Sequence, residues 1–282
     1  MNSGILYIVA TPIGTLNDFS PRAKEVLSQV DFIACEDTRH TGKLLHYFQI
    51  KTPLESLHAH NEKNKINFLI SKLLNSENKM AAIVTDAGTP CISDPGSLLI
   101  AEAHKNNITI QSIPGPSSLT AALAACGFIQ PRTIFSGFLD RSIKNQSQEF
   151  ELWKHSAPCI AVIFESPKRI LNTLNNLLNY FKNEDIYLCV SKEISKKFEE
   201  HKIGNCKEII EYYSNLNEIQ GEFVVCININ KLNKEAPDLD AIALEAIFHS
   251  KSKNLSLKQG CKEMSLKYNI NSKDIYNKAL KL

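Results

Sequence analysis

Met80-Ala-Ala-Ile-Val-Thr85 runs directly into Asp86-Ala-Gly-Thr-Pro90, then into Cys91-Ile-Ser-Asp-Pro-Gly96 and the helical pattern Ser97–Lys105. The first stretch is apolar and closes on β-branched residues, as a buried strand requires. The middle is rich in Gly, Pro, Asp and Ser, the residues of turns. A second apolar run, Ile108–Ile113, follows the helix. Strand, loop, helix and strand in that order form the crossover unit of a parallel sheet.

Working outward, Gly4–Ala10 and Asp31–Cys35 read as further strands of the same kind. Helices are expected after Ser20-Pro21, around Gly42–Phe48, and over Ile66–Leu74 and Ser117–Ala125. Ser20-Pro21 and Ser166-Pro167 each place an N-cap residue ahead of a proline suited to the first helical position. A second α/β part is expected from near Ser117, with strands at Thr133–Gly137, Cys159–Glu165, Asp185–Lys192 and Glu222–Ile229 and a helix from Pro167 to about Tyr180. The polar stretch Asn230–Pro237 reads as a linker, and Asp238–Leu282 shows helical periodicity alone. The fold class is therefore α/β, in three domains at 1–116, 117–230 and 238–282, with a mainly parallel N-terminal sheet and a small helical C-terminal module.

A chain of 282 residues exceeds one ordinary small core. Its 43% hydrophobic and 22% charged residues argue against disorder. Apolar runs such as Cys159–Phe164 fall well short of the roughly 18 residues that span a bilayer. The apolar stretch from Gly4 is preceded by no basic residue, the first being Arg22, so it does not read as a secretory leader. A cytoplasmic protein with no membrane partner is expected. The eight cysteines form no C-x-x-C pair, and Cys35, Cys159, Cys189 and Cys226 fall inside apolar runs, which suggests reduced, buried thiols and no metal site. Phosphate-loop, dinucleotide-binding, zinc-protease and nucleophile-elbow motifs are all missing, which removes the enzyme classes they mark.

What remains is four loops, each at the C-terminal end of an expected strand: Thr11–Asp18, Glu36–Arg39, Thr85–Gly96 and Ile113–Ser118. One such loop is an ordinary turn. Four at the same end of consecutive strands mark the crevice where open α/β sheets bind ligands, with small residues that let backbone come close.

These loops also carry a resemblance. Val9-Ala-Thr-Pro-Ile-Gly14, Glu36-Asp-Thr-Arg39, His58-Ala-His-Asn-Glu62, Asp86-Ala-Gly-Thr-Pro90 with Ser93-Asp-Pro-Gly96, Pro114-Gly-Pro116, Gly137-Phe-Leu139, Glu165-Ser-Pro-Lys-Arg169 and Gly221-Glu222 follow in order. With them the chain resembles the ribosomal RNA small subunit methyltransferase I family, within the tetrapyrrole methylase superfamily, from Tyr7 to about Ile229. The resemblance implies S-adenosyl-L-methionine as methyl donor and 2′-O-methylation of a cytidine in 16S rRNA near the decoding centre. It also implies a two-domain methylase body and a homodimer. The chain departs from the family pattern at Thr15, where asparagine is common, at Asp140, where proline usually follows Gly-Phe-Leu, and at Lys168, where histidine is common. Lys192-Glu-Ile-Ser-Lys196 replaces the usual Arg-Glu-Leu-Thr-Lys. The shape of the loop around Asp140 is the feature most affected.

By resemblance, Ala10, Asp86, Gly88, Thr89, Gly115, Ser117 and Ser118 hold the donor, with Phe164 and Glu165 closing the other side. Asp86 could equally serve as a turn cap. Glu36, Asp37 and Arg39 are the acceptor-side catalytic candidates, since a carboxylate pair can supply a base while an arginine steers a phosphate. An internal ion pair that fixes the loop is the competing reading. His58 and His60, with Asn61 and Glu62, form a second, substrate-binding candidate, and Lys192 with Glu193 a third. Two histidines at i and i+2 would share one side of a strand, where hydrogen bonding to RNA fits better than a metal. Two other functions stay open: a methylase for a small tetrapyrrole, which would not need Asp238–Leu282, and a non-catalytic ribosome-assembly factor that keeps the donor pocket.

The net charge of +2 announces no nucleic-acid partner by itself. Its distribution does. From Ser250 to Leu282 eight lysines face only Glu263 and Asp274. Apolar positions at Leu255, Leu257, Cys261, Met264, Leu266, Ile270, Ile275, Ala279 and Leu280 suggest two short helices broken near Asn269–Ser272, like a helix-turn-helix module that docks RNA phosphates.

Overall fold

Phe32-Ile-Ala-Cys35 is buried at every position, the mark of a strand covered on both faces. It is β2 of a sheet in a computed structural model of the chain, which describes residues 4–182, 186–230, 239–268 and 270–282. The other strands of this sheet are β1 (Ile5–Val9), β3 (Leu54–Ser56), β4 (Met80–Ile83) and β5 (Thr109–Ile113), ordered β3-β2-β4-β1-β5. All its pairings are parallel, as expected. Helices α1 (Pro21–Gln29) and α2 (Thr38–Tyr47) cover one face around Leu27, Leu45 and Val84. The other face packs on α3 (Glu62–Asn75) and α4 (Ser97–Lys105) around Leu69, Leu73 and Leu99. Ser20 caps α1 as its sequence suggests, its hydroxyl accepting from the Ala23 amide at 3.0 Å with Pro21 at the first helical position.

Helix α5 (Ser118–Cys126) packs with the strands that follow it, so the second sheet's layer begins there. That sheet runs β6 (Thr133–Phe138), β7 (Cys159–Glu165), β10 (Phe223–Ile229), β8 (Tyr187–Lys192), β9 (Glu200–Asn205). Only β6 and β7 pair in parallel, and the remaining pairs are antiparallel. α5 covers one face. The other carries the larger core, in which α6 (Ile143–Ser156), α7 (Ile170–Tyr180) and α8 (Cys206–Ser214) contribute Trp153, Leu174 and Ile209.

Several expectations shift. The helix expected from Pro167 begins at Ile170, because the Ser166 carbonyl closes a turn by accepting from the Arg169 and Ile170 amides, both at 3.0 Å. The strand expected from Asp185 is described only from Tyr187, since residue 185 lies outside the described residues. β3, β9, α6 and α8 were not read from the sequence. All cysteines but Cys91 are buried, and burial pushes the Cys35 thiol up to about 11 and the Cys206 thiol to about 12.

The chain divides after Asn230 into two compact units. The linker expected at Asn230–Pro237 falls, apart from Asn230, outside the described residues, as does Asp238. The second unit is a helical trio, α9 (Leu239–Ser252), α10 (Leu257–Tyr268) and α11 (Ser272–Ala279), around Ala243, Ala246, Cys261, Met264 and Ile275. The sequence suggested two helices here; α9 precedes that pair. The expected break keeps its place, with Asn269 outside the described residues and Asn271 capping α11 through the Lys273 amide at 2.9 Å. Leu266 and Leu280, expected on the apolar side, are instead 81% and 62% exposed. No helix among the described residues is long and apolar enough to cross a membrane.

Candidate functional site

The four loops do converge. Thr11 and Gly88 exchange backbone hydrogen bonds at 2.9 and 3.1 Å, and the Thr11 hydroxyl donates to the Thr85 carbonyl at 3.1 Å. The Thr89 hydroxyl donates to the Pro116 carbonyl at 3.2 Å, and the Asp37 amide to Asp86 Oδ1 at 3.2 Å. Gly88 sits at φ 87°, a conformation that favours glycine, and a Cβ there would approach Ile13 Cγ2 to 3.3 Å. Cys91 and Ser93 also adopt left-handed φ, at 69° and 68°. The Glu62 carboxylate steadies this stretch by accepting the Gly96 and Leu98 amides at 2.9 and 3.2 Å at the start of α4.

Against these loops stands the end of the second sheet, and a cavity of about 350 Å³ lies where they meet. That volume falls in the range of about 300–1,000 Å³ usual for small-molecule sites. Asp86, Gly88, Thr89, Ser117 and Ser118 line it from the loops, and Phe138, Phe164, Glu165, Ile194 and Val224 from the other side. A β-bulge between Phe135 and Gly137 displaces the register so that Phe138 reaches the cavity, its ring set edge-on to Phe164 at 5.6 Å. Gly14 and Thr15 lock the two sides together. Thr15 donates its amide to Ser195 Oγ at 3.1 Å and its hydroxyl to the Ser195 carbonyl at 2.7 Å, and Ser195 Oγ bonds Asp18.

The family model for tetrapyrrole (corrin/porphyrin) methylases matches residues 5–210. Proteins named ribosomal RNA small subunit methyltransferase I align over most of the chain. The one from Synechocystis is 43% identical over 79% of this chain and 78% of its own, and the one from Bacillus subtilis is 35% identical over 97% and 93%. The chain belongs to this methylase family. Solved structures of diphthine synthase (TM-score 0.61, 16% identity, 81% of this chain and 90% of that one) and of cobalt precorrin-4 methyltransferase (0.58, 15%, 79% and 94%) share its fold.

Within the methylase cavity the donor-side expectations divide. Asp86, Gly88, Thr89, Ser117, Ser118, Phe164 and Glu165 line it; Ala10 and Gly115 do not. A Cβ on Gly115 would press the Ala10 Cβ at 3.0 Å, so that glycine serves the seam between β1 and β5. Glu165 is fully buried and internally engaged. Its oxygens accept the Ser166 amide at 2.8 Å and the Thr173 hydroxyl at 2.6 Å, with Arg169 Nε at 3.3 Å.

On the acceptor side, Asp37 caps α2 through the Arg39 amide at 2.8 Å and grips the Arg39 guanidinium at 2.7 Å, which is the competing ion-pair reading. Those bonds hold the Asp37 carboxyl far below the usual carboxylate range. Glu36 moves the opposite way, raised by partial burial and by the charges of Asp94, Asp86 and Asp37. His58 and His60 do not share a strand. They lie in the turn after β3 with rings edge-to-face at 6.0 Å, away from the cavity lining, because Asn61 Oδ1 accepts the His58 amide at 2.9 Å and closes that turn. Lys192 ends β8. Burial alone would raise the Glu193 carboxyl, but the Lys196 ammonium and the Glu222 amide, at 2.9 and 3.0 Å, lower it on balance. The sequence reading missed Asp94, Phe138, Ile194 and Glu222 as cavity residues, although each stood inside a quoted motif.

Proposed function

We propose that the chain transfers the methyl group of S-adenosyl-L-methionine to the 2′-hydroxyl of a cytidine in 16S rRNA of the small ribosomal subunit, near the decoding centre. The donor supplies an activated methyl group on a sulfonium cation. The cavity suits such a ligand: carboxylates at Asp86 and Asp94 for its positive charge, an apolar wall at Phe138, Phe164 and Ile194 for its adenosine, and a cradle at Gly88 that a side chain would fill. Placing a bound hydroxyl against a bound methyl removes roughly 7–11 kcal/mol of barrier, so the rigid loops contribute most. Arg39, its side chain 87% exposed and its guanidinium paired with Asp37, is the proposed contact to an RNA phosphate. His58, His60, Asn61, Lys192 and Glu193 remain proposed contacts to the RNA.

The observation that carries this reading is sequence identity. Relatives named ribosomal RNA small subunit methyltransferase I are 35–43% identical, the one from Bacillus subtilis over 97% of the chain and so across the helical unit, whereas the likeness to the cobalt precorrin enzyme, at 15% identity, is one of fold alone. In this division of labour residues 1–116 and 117–230 act as the two methylase domains, and 238–282 docks RNA. The working form is a homodimer, so light scattering should report twice the 31.6 kDa chain mass. The test offers the protein and labelled donor undermethylated 30S subunits, naked 16S rRNA and a tetrapyrrole in parallel. Label in 16S rRNA supports the reading. Label in the tetrapyrrole, or none anywhere, overturns it.

A further inference from the structure

Between Lys105 and Arg132 the chain carries no charged residue, although 22% of its residues are charged. Two elements share that gap. β5 stands at the edge of the first sheet, with a strand on one side only among the described residues. Its sequence, Thr-Ile-Gln-Ser-Ile, brings none of the charge that guards the edge strands β3 and β9. α5, Ser-Leu-Thr-Ala-Ala-Leu-Ala-Ala-Cys, is apolar nearly all round. A helix of that kind belongs under cover on every side. Only one side has it: Leu119, Ala122, Leu123 and Cys126 pack on the second sheet, while Thr120, Ala124 and Ala125 are exposed.

Larger apolar side chains extend this face. Ile129, just past the end of α5, is 94% exposed. Ile203 is 51% exposed and pairs with Cys189, which is buried in the cluster beneath α5, so both project to the α5 side of the sheet. An open groove lined by Gly115, Pro116, Thr120 and Ala121 joins the loop after β5 to the first turns of α5.

We propose that a second copy of this chain covers this face, α5 against α5 about a two-fold axis. This rests on the homodimer reading and gives that dimer its interface. Charge selects the occupant. RNA is held through cations that meet its phosphates, and this stretch has none. An unlike protein is steered by charge of opposite sign. A face without charge meets its own copy without repulsion, and a two-fold contact requires such self-complementarity. Homodimer interfaces are also the more apolar kind. The small outer side chains of α5 let two helix axes approach to about 8 Å, with Ile129 and Ile203 at the flanks.

The experiment weighs the full chain by sedimentation equilibrium. Ala124→Glu places a carboxylate on the exposed side of α5 and, about the two-fold, near its own copy. Wild type should be a dimer, and the variant's dissociation constant should rise by about 10²-fold or more. Lys63→Glu, on the exposed side of α3, should keep the wild-type mass. Ile129→Ser, outside any helix or strand, decides if Ala124→Glu does not fold, and should weaken the dimer by about tenfold. A dimeric wild type whose α5-face variants stay equally dimeric overturns the interface and leaves the homodimer reading standing. A monomeric wild type overturns both. Dimeric variants that lose 30S binding would give the face to RNA, and dimeric variants that melt at lower temperature would give it to the chain's own helical unit. Either result overturns the proposal.

Discussion

Asp31, one residue ahead of β2, gathers the loop between α3 and β4 by accepting from Ser76 Oγ at 2.7 Å, from the Met80 amide at 2.9 Å and from Asn78 at 2.9 and 3.2 Å. Burial alone would raise its carboxyl, but these bonds together outweigh it and hold the group below its ordinary value. A lowered carboxylate stabilises the fold above its unfolded value of about 3.9 and loses that contribution as pH falls through the folded one. Asp31→Asn should cost about 1–2 kcal/mol at pH 7. In urea unfolding, the gap from wild type should narrow as pH drops below about 4; an equal gap at both pH values would contradict this. At the same scale, two departures from the family pattern, Thr15 and Ser195, turn out to touch. A Cβ on Gly14 would meet Lys196 Cγ at 2.7 Å, so the same seam demands glycine. Such pairings join residues 180 positions apart. The sequence therefore named the motif residues but not their partners. Asp94 shares its loop with Asp86, but Glu36, on which its charge acts, follows a different strand, β2, so their nearness is not legible in the sequence. The loop at Asp140 closes by a local route, Asp140 Oδ1 accepting the Ser142 amide at 2.7 Å.

Elements with long apolar runs or clear caps were legible, and those that escaped have physical reasons. β3 is three residues long at the sheet edge, with Glu55 drawn to Lys72 at 2.6 Å, and β9 is a polar edge strand, Glu200-His-Lys-Ile-Gly-Asn205. Charged edges resist stray pairing and so lose the alternation that reveals a strand. α6 buries only Gln146, Phe150 and Trp153. α8 could have been found, since Asn205 and Glu208 form a capping box. Glu62 acts between elements, from the first turn of α3 onto the start of α4. Glu62→Ala should leave two amides without an acceptor and cost about 1–3 kcal/mol. It should also weaken donor binding, because the loop it steadies carries Asp94. A thermal midpoint equal to wild type would refute that role.

At the scale of the whole molecule, the helical unit concentrates positive charge, with eight lysines against two acids over residues 250–282. Lys267 pairs with Glu245 at 2.6 Å and Lys278 with Asp240 at 2.9 Å, while Lys251, Lys253, Lys258, Lys262, Lys273 and Lys281 form no ion pair among the described residues. Deleting residues 238–282 should spare donor binding but weaken rRNA binding and flatten its salt dependence, by about one unit of log–log slope per phosphate-contacting lysine removed. Equal binding and methylation by the truncated chain at several salt concentrations would remove the unit from RNA docking.

The central claim concerns one oxygen atom, and alkaline hydrolysis reads it directly. RNA chains break in alkali through attack by the 2′-hydroxyl, so a methyl on that oxygen protects the adjoining linkage. Undermethylated 30S subunits are incubated with the protein and labelled donor, and their 16S rRNA is hydrolysed to completion. Label should appear in a single alkali-resistant dinucleotide that begins with cytidine. Label released in mononucleotides would place the methyl on a base and contradict the account.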